Sequence, residues 1–206
     1  MARSAEATKP CLQSFQAIVL ARSWNRKSGE TRDAVLTGGY GTAFAQIGNY
    51  IYLGAGIFCN GASPTIKGNI ITDNIGPLEM IGNNQAQWKL CYGAGIGSFT
   101  SSATITNNII KNNSAYAGAI FVLGEDKICN NLIYDNSAVV GGGVILFGGR
   151  LINNTIVGND TNASAMLGAG PGGNVHVVFD NELPQCLIDG SETGFSCRNW
   201  SWIGAF

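Results

Sequence analysis

The segment GPLEMIGNNQAQWKLCY, residues 76 to 92, brings charged and aromatic side chains close together. Glu79 and Lys89 offer hydrogen-bonding groups of both signs, and Trp88 and Tyr92 offer flat rings. Ligand sites combine these two features, because a few polar groups fix the orientation of a molecule that packs on apolar rings. The segment therefore predicts a sugar-binding loop, or else a loop that folds back and tucks its apolar side chains against the body of the protein.

A second candidate surface comes from Asp73, Lys111, Tyr134 and Asp135, which follow the isoleucines of the related packets KGNIITDN, TNNIIKNN and CNNLIYDN. Side chains at equivalent positions of stacked strands line up at intervals of about 4.8 Å. They are placed to contact successive parts of an extended polysaccharide. The stripe also fits a structural role, in which Lys111 neutralises the carboxylates of an exposed ladder.

Metal and cofactor sites have little support. Glu125 and Asp126 are adjacent carboxylates in LGEDK, and calcium binding by such a pair competes with a simpler interpretation, a solvated turn beside Lys127. His176 is the one histidine, so neither a catalytic triad nor a histidine metal site is predicted. No cofactor is expected, and no specific calcium motif is present.

The six cysteines form no CxxC pair, which argues against zinc. Disulfides are one interpretation, without an assigned pairing. Buried thiols that act as small hydrophobic groups are the other, and the one we favour. The cysteines are Cys11, Cys59, Cys91, Cys129, Cys186 and Cys197.

Composition and sequence pattern argue against nucleic acid as a partner and against a transmembrane segment. The chain of 206 residues has 12 Lys plus Arg against 13 Asp plus Glu, so it lacks the basic field that nucleic acid requires. No apolar run of about 18 residues predicts a transmembrane segment. The start, MARSAEATKPCLQ, lacks the apolar stretch of a signal peptide, which leaves an intracellular location or a missing leader as interpretations.

The elements that would position these residues follow from a repeat. The pattern N-x-I-x-x-N recurs at intervals of 39, 23 and 23 residues, and a glycine-rich GAGI-type companion recurs at 39, 24 and 24. A unit of this length suits a coil of short strands separated by turns. The first asparagines are Asn69, Asn108, Asn131 and Asn154, and the second are Asn74, Asn113, Asn136 and Asn159.

Alternation within the unit predicts which side chains face inward. The second residue after the first asparagine is isoleucine in all four packets, and the residue three before it is always aliphatic. Such alternation is typical of strands, and stacking them would bury a continuous core over residues 34 to 160. The first stack is Ile71, Ile110, Ile133 and Ile156, and the second is Ile66, Ile105, Ile128 and Leu151.

One interval exceeds the others by about 15 residues, which places an insertion between Ile75 and Gly93. Insertions in a solenoid emerge on one face, often the binding face.

Both ends of the chain are expected to close the stack. Apolar residues at helical spacing in CLQSFQAIVLARSW predict an amphipathic capping helix over residues 11 to 26. Residues 161 to 206 are expected to form a degenerate coil and a C-terminal cap. We therefore predict one domain over residues 1 to 206.

SFQAIVLA, SGETRDAVLTGGY and the GGGI-type repeats with SPTIKGNIITDN together resemble the right-handed parallel β-helix proteins of the pectin-lyase-like superfamily. The resemblance spans about residues 12 to 160. It implies an all-β, right-handed parallel β-helix, here of about six to seven coils, with three short strands per coil. It also implies an asparagine ladder at one turn, formed by Asn69, Asn108, Asn131 and Asn154, and favours an extracellular or cell-surface location.

For function, the resemblance implies binding of an extended polysaccharide, with or without lyase or hydrolase-like activity. Lyases of the superfamily use an Arg or Lys base, often with calcium, which makes Lys89 and Lys111 candidate bases and Asp135 a further catalytic candidate. The hydrolases need two or three carboxylates around one bond, whereas carboxylates in these repeats are isolated. The alternative is a non-catalytic structural or surface-display solenoid, such as an adhesin or spike-like segment.

Overall fold

The computed structural model describes residues 18–21, 24–25, 30–47, 49–81, 87–161, 175–177 and 187–189. These residues form strands and turns, and no helix is found among them. None of this described part could therefore cross a membrane as a helix. The strands, numbered β1 to β25 along the chain, belong to four sheets, A to D.

Two sheets carry the asparagine packets. Sheet A contains, in spatial order, β1 (Ile18–Ala21), β4 (Ala34–Thr37), β9 (Ile70–Thr72), β14 (Ile109–Lys111), β18 (Leu132–Tyr134), β22 (Thr155–Val157) and β25 (Leu187–Asp189). Sheet B contains β2 (Trp24–Asn25), β3 (Glu30–Arg32), β8 (Thr65–Lys67), β13 (Thr104–Thr106), β17 (Lys127–Cys129) and β21 (Arg150–Ile152).

The other two sheets flank the glycine-rich turns. Sheet C contains β23 (Asp160–Thr161), β19 (Ser137–Val140), β15 (Ser114–Ala117), β11 (Gln87–Tyr92), β6 (Asn49–Leu53) and β5 (Thr42–Ile47), with β10 (Leu78–Ile81) beside β11. Sheet D contains β24 (Val175–Val177), β20 (Val144–Leu146), β16 (Ile120–Leu123), β12 (Ile96–Phe99) and β7 (Ile57–Asn60).

The chain visits the sheets in the order C, D, B, A and then returns to C one level further along. One coil therefore runs from Ser114 to its register partner Ser137. Successive coils pair in parallel, so the fold is an all-β parallel solenoid, as predicted. Each coil has four short strands, whereas the family resemblance implies three. The right-handed sense of the solenoid remains a prediction.

The core is built from the predicted inward positions. Ile71, Ile110, Ile133 and Ile156 are in register across sheet A and are each 0% exposed. The second predicted stack, at the middle of the sheet B strands, is also buried. Sheet D adds Ile57, Ile96, Ile120 and Val144, the residues that follow the glycine-rich turns. The period-two alternation therefore places the predicted aliphatic side chains in one continuous core.

Two asparagine ladders run along the solenoid, one at the turn from sheet B to sheet A and one at the turn from A to C. In the first, the side-chain amide of Asn131 donates to Asn154 Oδ1 at 2.9 Å, and its own Oδ1 accepts from Asn108 Nδ2 at 3.0 Å. Asn113 and Asn136 repeat this geometry in the second ladder at 2.9 Å. The first ladder was predicted, and the second is an addition to the one implied by the resemblance.

A residue with positive φ precedes each ladder asparagine. Before the first ladder these residues are Gly68, Asn107, Asn130 and Asn153, with φ of 68°, 55°, 56° and 51°. Before the second they are Asp73, Asn112, Asp135 and Gly158, with φ of 55°, 53°, 52° and 61°. Glycine, asparagine and aspartate are the residues that tolerate this conformation best. The packets are therefore rich in Asn because one position bends the chain and the next bridges coils.

The predicted capping helix over residues 11 to 26 is wrong where the structure describes that segment. Residues 18 to 21 form β1, which pairs antiparallel with β4, and β2 pairs antiparallel with β3. A strand satisfies the exposed edge of sheet A with backbone hydrogen bonds, which a helix would leave unpaired. Residues 11 to 17, 22 to 23 and 26 lie outside the described residues.

At the other end, β24 and β25 extend sheets D and A in parallel. The degenerate coil expected over residues 161 to 206 remains a prediction. The C-terminal residues 190 to 206, where a cap is predicted, lie outside the described residues. Among the cysteines, Cys59, Cys91 and Cys129 are buried thiols, which supports the interpretation as small hydrophobic groups. Burial raises the pKa of the Cys91 thiol to about 12, so this group is not poised for thiolate chemistry.

Candidate functional site

The predicted insertion is a β-hairpin that widens sheet C. Its strands β10 and β11 are antiparallel, with Glu79 opposite Lys89 and Met80 opposite Trp88. The second strand then joins the solenoid, because β11 is parallel to β6 and Tyr92 pairs with Ala117 of β15.

A second hairpin, β5 and β6, lies on the far side of β11, also antiparallel. The four strands β5, β6, β11 and β10 therefore form one extension of sheet C, which we call the wing.

A hydrogen-bonded cluster lies on the wing. The Tyr40 hydroxyl donates to Glu79 Oε1 at 2.6 Å, and Lys89 Nζ lies 3.1 Å from Glu79 Oε2. The ring of Tyr52 meets the ring of Tyr40 edge to face, with centroids 6.0 Å apart. Tyr40 and Glu79 are exposed, and Lys89 and Tyr52 are half-buried. The cluster offers charged hydrogen-bonding groups beside two aromatic rings at the surface.

The three polar groups stabilise each other's ordinary protonation states. Hydrogen bonds from Tyr40 and Lys89 lower the pKa of the Glu79 carboxyl. The hydrogen bond to that carboxylate raises the pKa of Tyr40 to about 12 and raises the pKa of Lys89. At neutral pH the cluster therefore contains a phenol, a carboxylate and an ammonium group, with no net charge.

This coupling predicts a titration result. Replacing Glu79 by glutamine removes the carboxylate that disfavours the Tyr40 phenolate, so the pKa of Tyr40 should fall towards its usual value near 10. Phenolate absorbance measured during alkaline titration should show one tyrosine that ionises at lower pH in Glu79→Gln than in the wild type. Glu125→Gln, at an exposed carboxylate away from the wing, is the control. Identical curves for wild type and Glu79→Gln would contradict the contact.

The other predicted residues of the insertion differ in their surroundings. Trp88 is half-buried on β11, one residue before Lys89, and Leu90 is buried. Tyr92 lies at the corner between sheets C and D, where its ring meets the rings of Tyr116 and Phe121 edge to face, with centroids 5.4 and 5.1 Å apart. The segment therefore buries Leu90 and presents Glu79 and Lys89 at the surface, and its binding of a sugar remains a prediction.

The residues of the second predicted stripe lie in two columns, one on sheet A and one in the turn that follows it. Lys111 and Tyr134 are in register on β14 and β18, and Lys111 Nζ lies 5.8 Å from the centre of the Tyr134 ring. Asp73 and Asp135 are exposed at the next position, the turn residues with positive φ. Their identity is explained by the turn, so their presence alone does not indicate a ligand.

Glu125 and Asp126 do not converge. Glu125 is exposed, whereas Asp126 is 1% exposed, so the predicted solvated turn is wrong for Asp126. Its Oδ1 accepts a hydrogen bond from the Ala103 N–H at 2.6 Å, which holds the carboxyl inward. Within the described residues, no group of three or more His, Cys, Asp and Glu side chains could hold a metal ion.

Asp126 gives a prediction for pH dependence. Burial raises the pKa of its carboxyl, and Asp126 Oδ2 and Ser98 Oγ are the two buried side-chain oxygens of the described residues without a hydrogen-bond partner. A raised pKa in the folded state means that stability is full below the pKa of the unfolded chain and is lost as pH rises through the folded pKa. Asp126→Asn should therefore be more stable than wild type at neutral pH, and this difference should shrink on acidification.

Urea unfolding at several pH values measures this difference, with Asp135→Asn as the matched control at an exposed turn residue whose positive φ asparagine tolerates. A difference between Asp126→Asn and wild type that does not change with pH would exclude titration of Asp126 as its cause.

Sequence reasoning missed Tyr40 and Tyr52. Both lie outside the asparagine packets, and Tyr40 meets Glu79 across 39 residues of chain through two hairpins. The alternation NYIYL, residues 49 to 53, is the one local signal that could have indicated a tyrosine-bearing strand.

No family model, curated protein or solved structure matches this chain. The assignment of the fold therefore rests on the repeat, the parallel pairing and the ladders. The assignment of a candidate site rests on the geometry of the wing.

Proposed function

We propose that this protein is an extended-polysaccharide-binding β-solenoid related in architecture to the pectin-lyase-like superfamily, and that the wing holds the saccharide. The observation that carries the proposal is the Tyr40–Glu79–Lys89 cluster beside the Tyr52 ring. Sugar hydroxyl groups can accept from Lys89 and donate to Glu79, while a sugar face packs on the aromatic rings.

The electrostatics favour binding over catalysis at the wing. A lyase base must be able to take a proton, but the carboxylate beside Lys89 raises the pKa of this lysine and keeps it protonated. A general acid must carry a proton at the working pH, but the pKa of Glu79 is lowered. The cluster has no net charge, which favours an uncharged saccharide over a chain of uronates.

Direct binding measurements test the proposal. A glycan array and calorimetry with neutral and uronate polysaccharides should show binding to a neutral chain, weakened about tenfold by Lys89→Met because one charged hydrogen bond is lost. Trp88→Ala tests the aromatic contribution of the same strand. Glu125→Gln is the control, since Glu125 is an exposed carboxylate outside both the wing and the sheet A stripe.

Absence of binding to any saccharide, or binding unchanged by Lys89→Met and Trp88→Ala, would overturn the proposal. An absorbance assay for unsaturated uronate products, with and without calcium, addresses the lyase alternative with Lys89 or Lys111 as base. We expect no product.

The second candidate is a structural or surface-display solenoid without a saccharide ligand. It is favoured by a different observation, the aliphatic side chains that sheet A exposes at Val35, Ile70 and Leu132. Assembly without saccharide binding would be the result that separates it from the first candidate.

A further inference from the structure

One face of the wing carries a row of side chains that crosses three strands. Glu79 on β10 is the register partner of Lys89 on β11, and Lys89 is in turn the register partner of Tyr50 on β6. Register partners on neighbouring strands point to the same face of a sheet, at intervals of about 4.8 to 5.5 Å. The row from Glu79 to Tyr50 is therefore about 10 Å long, and it runs along the solenoid axis because the strands of sheet C stack in that direction.

The members of this row are close enough to interact. Lys89 Nζ lies 3.1 Å from Glu79 Oε2. The hydrogen bond to Glu79 has the largest effect on the pKa of Lys89, which it raises, and the phenols of Tyr52 and Tyr50 raise this pKa as well. Both phenol groups therefore lie near the ammonium group. The side chains of Lys89 and Glu79 are 29% and 50% exposed, so a ligand at the surface can reach them.

Tyr50 differs from the other two tyrosines of this face because its ring is free. The rings of Tyr40 and Tyr52 contact each other edge to face, and the Tyr40 hydroxyl donates to Glu79. Tyr52 also packs against the small buried cluster around Cys91. The Tyr50 side chain is half-buried and, in the part of the chain that the structure describes, makes no hydrogen bond and no ring contact. It is therefore the ring of this face that is available to a ligand.

Trp88 belongs to the opposite face of the wing. Side chains alternate between the two faces along a strand, so Trp88 and Leu90 point away from the face that carries Lys89. Their register partners on β10 are Met80 and Leu78, which are apolar residues as well. Trp88 and the polar row therefore cannot contact the same sugar ring.

We propose that a linear neutral saccharide lies lengthwise on this row, along the solenoid axis, with one sugar ring on Tyr50 and the next against Lys89 and Glu79. An apolar sugar face packs on the flat ring, while hydroxyl groups of the neighbouring sugar accept from Lys89 and donate to Glu79. The smallest unit that fills the row is a disaccharide, since one sugar ring does not reach both ends of about 10 Å. This placement rests on the proposed saccharide function of the wing and adds the stacking residue, the length and the direction of the chain.

Calorimetry with linear oligosaccharides of glucose, mannose, xylose and galactose tests the role of Tyr50. Tyr50→Ala removes the ring and should weaken binding of the oligosaccharide that the wild type prefers about tenfold. Tyr50→Phe keeps the ring and should bind within about twofold of the wild type. Tyr116→Ala is the matched control, at a half-buried tyrosine of sheet C outside the wing.

Circular dichroism and urea unfolding verify that these variants are folded. Binding by Tyr50→Ala as tight as that of the wild type, or an equal loss in Tyr50→Ala and Tyr116→Ala, would overturn the proposal.

Ligand length tests whether Tyr50 and Lys89 hold different sugar rings. The wild type should bind the disaccharide about tenfold more tightly than the monosaccharide. This gain should vanish in Tyr50→Ala and in Lys89→Met, because each variant keeps only one of the two contacts. A gain that survives in both variants would place the second sugar elsewhere and contradict the row.

Trp88→Ala tests which face of the wing is used. With the saccharide on the polar face, Trp88→Ala should bind within about twofold of the wild type, whereas Tyr50→Ala loses affinity. A larger loss in Trp88→Ala than in Tyr50→Ala, at equal stability, would place the saccharide on the apolar face and overturn the proposal.

The outcomes separate this placement from the proposed function. Binding that Lys89→Met weakens and Tyr50→Ala leaves unchanged would keep the wing as the saccharide site and overturn only the row that includes Tyr50. The absence of binding to any saccharide would overturn both.

Discussion

Replacing Asn131 by leucine is expected to lower the free energy of unfolding by on the order of 4 kcal/mol, because several buried polar groups lose their partners together. The Asn131 amide donates to the carbonyl oxygens of Ile105 and Cys129 at 2.9 and 3.1 Å and to Asn154 Oδ1. Its Oδ1 accepts from the backbone N–H of Asn108 at 2.9 Å. Leucine has a similar volume but satisfies none of these groups.

The matched control is the neighbouring residue. Asn130 is exposed with φ of 56°, so Asn130→Gly keeps the backbone conformation and should change stability by less than about 0.5 kcal/mol. Urea unfolding followed by circular dichroism compares the midpoints of the two variants. Similar losses for both would show that the asparagine packet acts through its turn alone and not through the ladder.

Sequence reasoning found the core because the repeat and the strand period define it together. The position held by Ile110 and Ile133 is isoleucine in every packet and faces inward from sheet A. The preceding position, held by Ile109 and Leu132, varies and faces outward. A slip of one residue would exchange these faces, so burial selects one register. Fold class therefore follows from local sequence.

The number of strands per coil and the second ladder were not predicted from the sequence. Both asparagines of each packet recur at the same period, so the sequence contained the signal for Asn136 as clearly as for Asn131. The family resemblance implies one ladder and three strands per coil. With three strands per coil, no second ladder is expected at the turn from sheet A to sheet C. A residue with positive φ before each asparagine, such as Asn130 and Asp135, distinguishes both corners.

The candidate site was predicted only in part because its contacts are non-local. Glu79 and Lys89 lie on one hairpin, and their pairing is within reach of sequence reasoning once the turn is recognised. Tyr40 joins them because β5 and β6 place a second hairpin beside the first. Asp126 was misassigned for a related reason, since its burial depends on the Ala103 N–H of the preceding coil.

Replacing Ile133 by alanine is expected to destabilise the protein by about 3 kcal/mol, because the side chain is 0% exposed and is packed between its register partners Ile110 and Ile156. Leu132→Ala, one residue earlier on the outer face, should change the free energy of unfolding by less than about 0.5 kcal/mol. Urea unfolding followed by circular dichroism gives both values.

This pair of variants tests the fold directly. Each coil of a solenoid packs on its two neighbours, so a cavity at the middle of the stack weakens the contacts of residue 133 with both of them. If Leu132→Ala were the more damaging change, the strand would face the other way and the register of sheet A would be wrong.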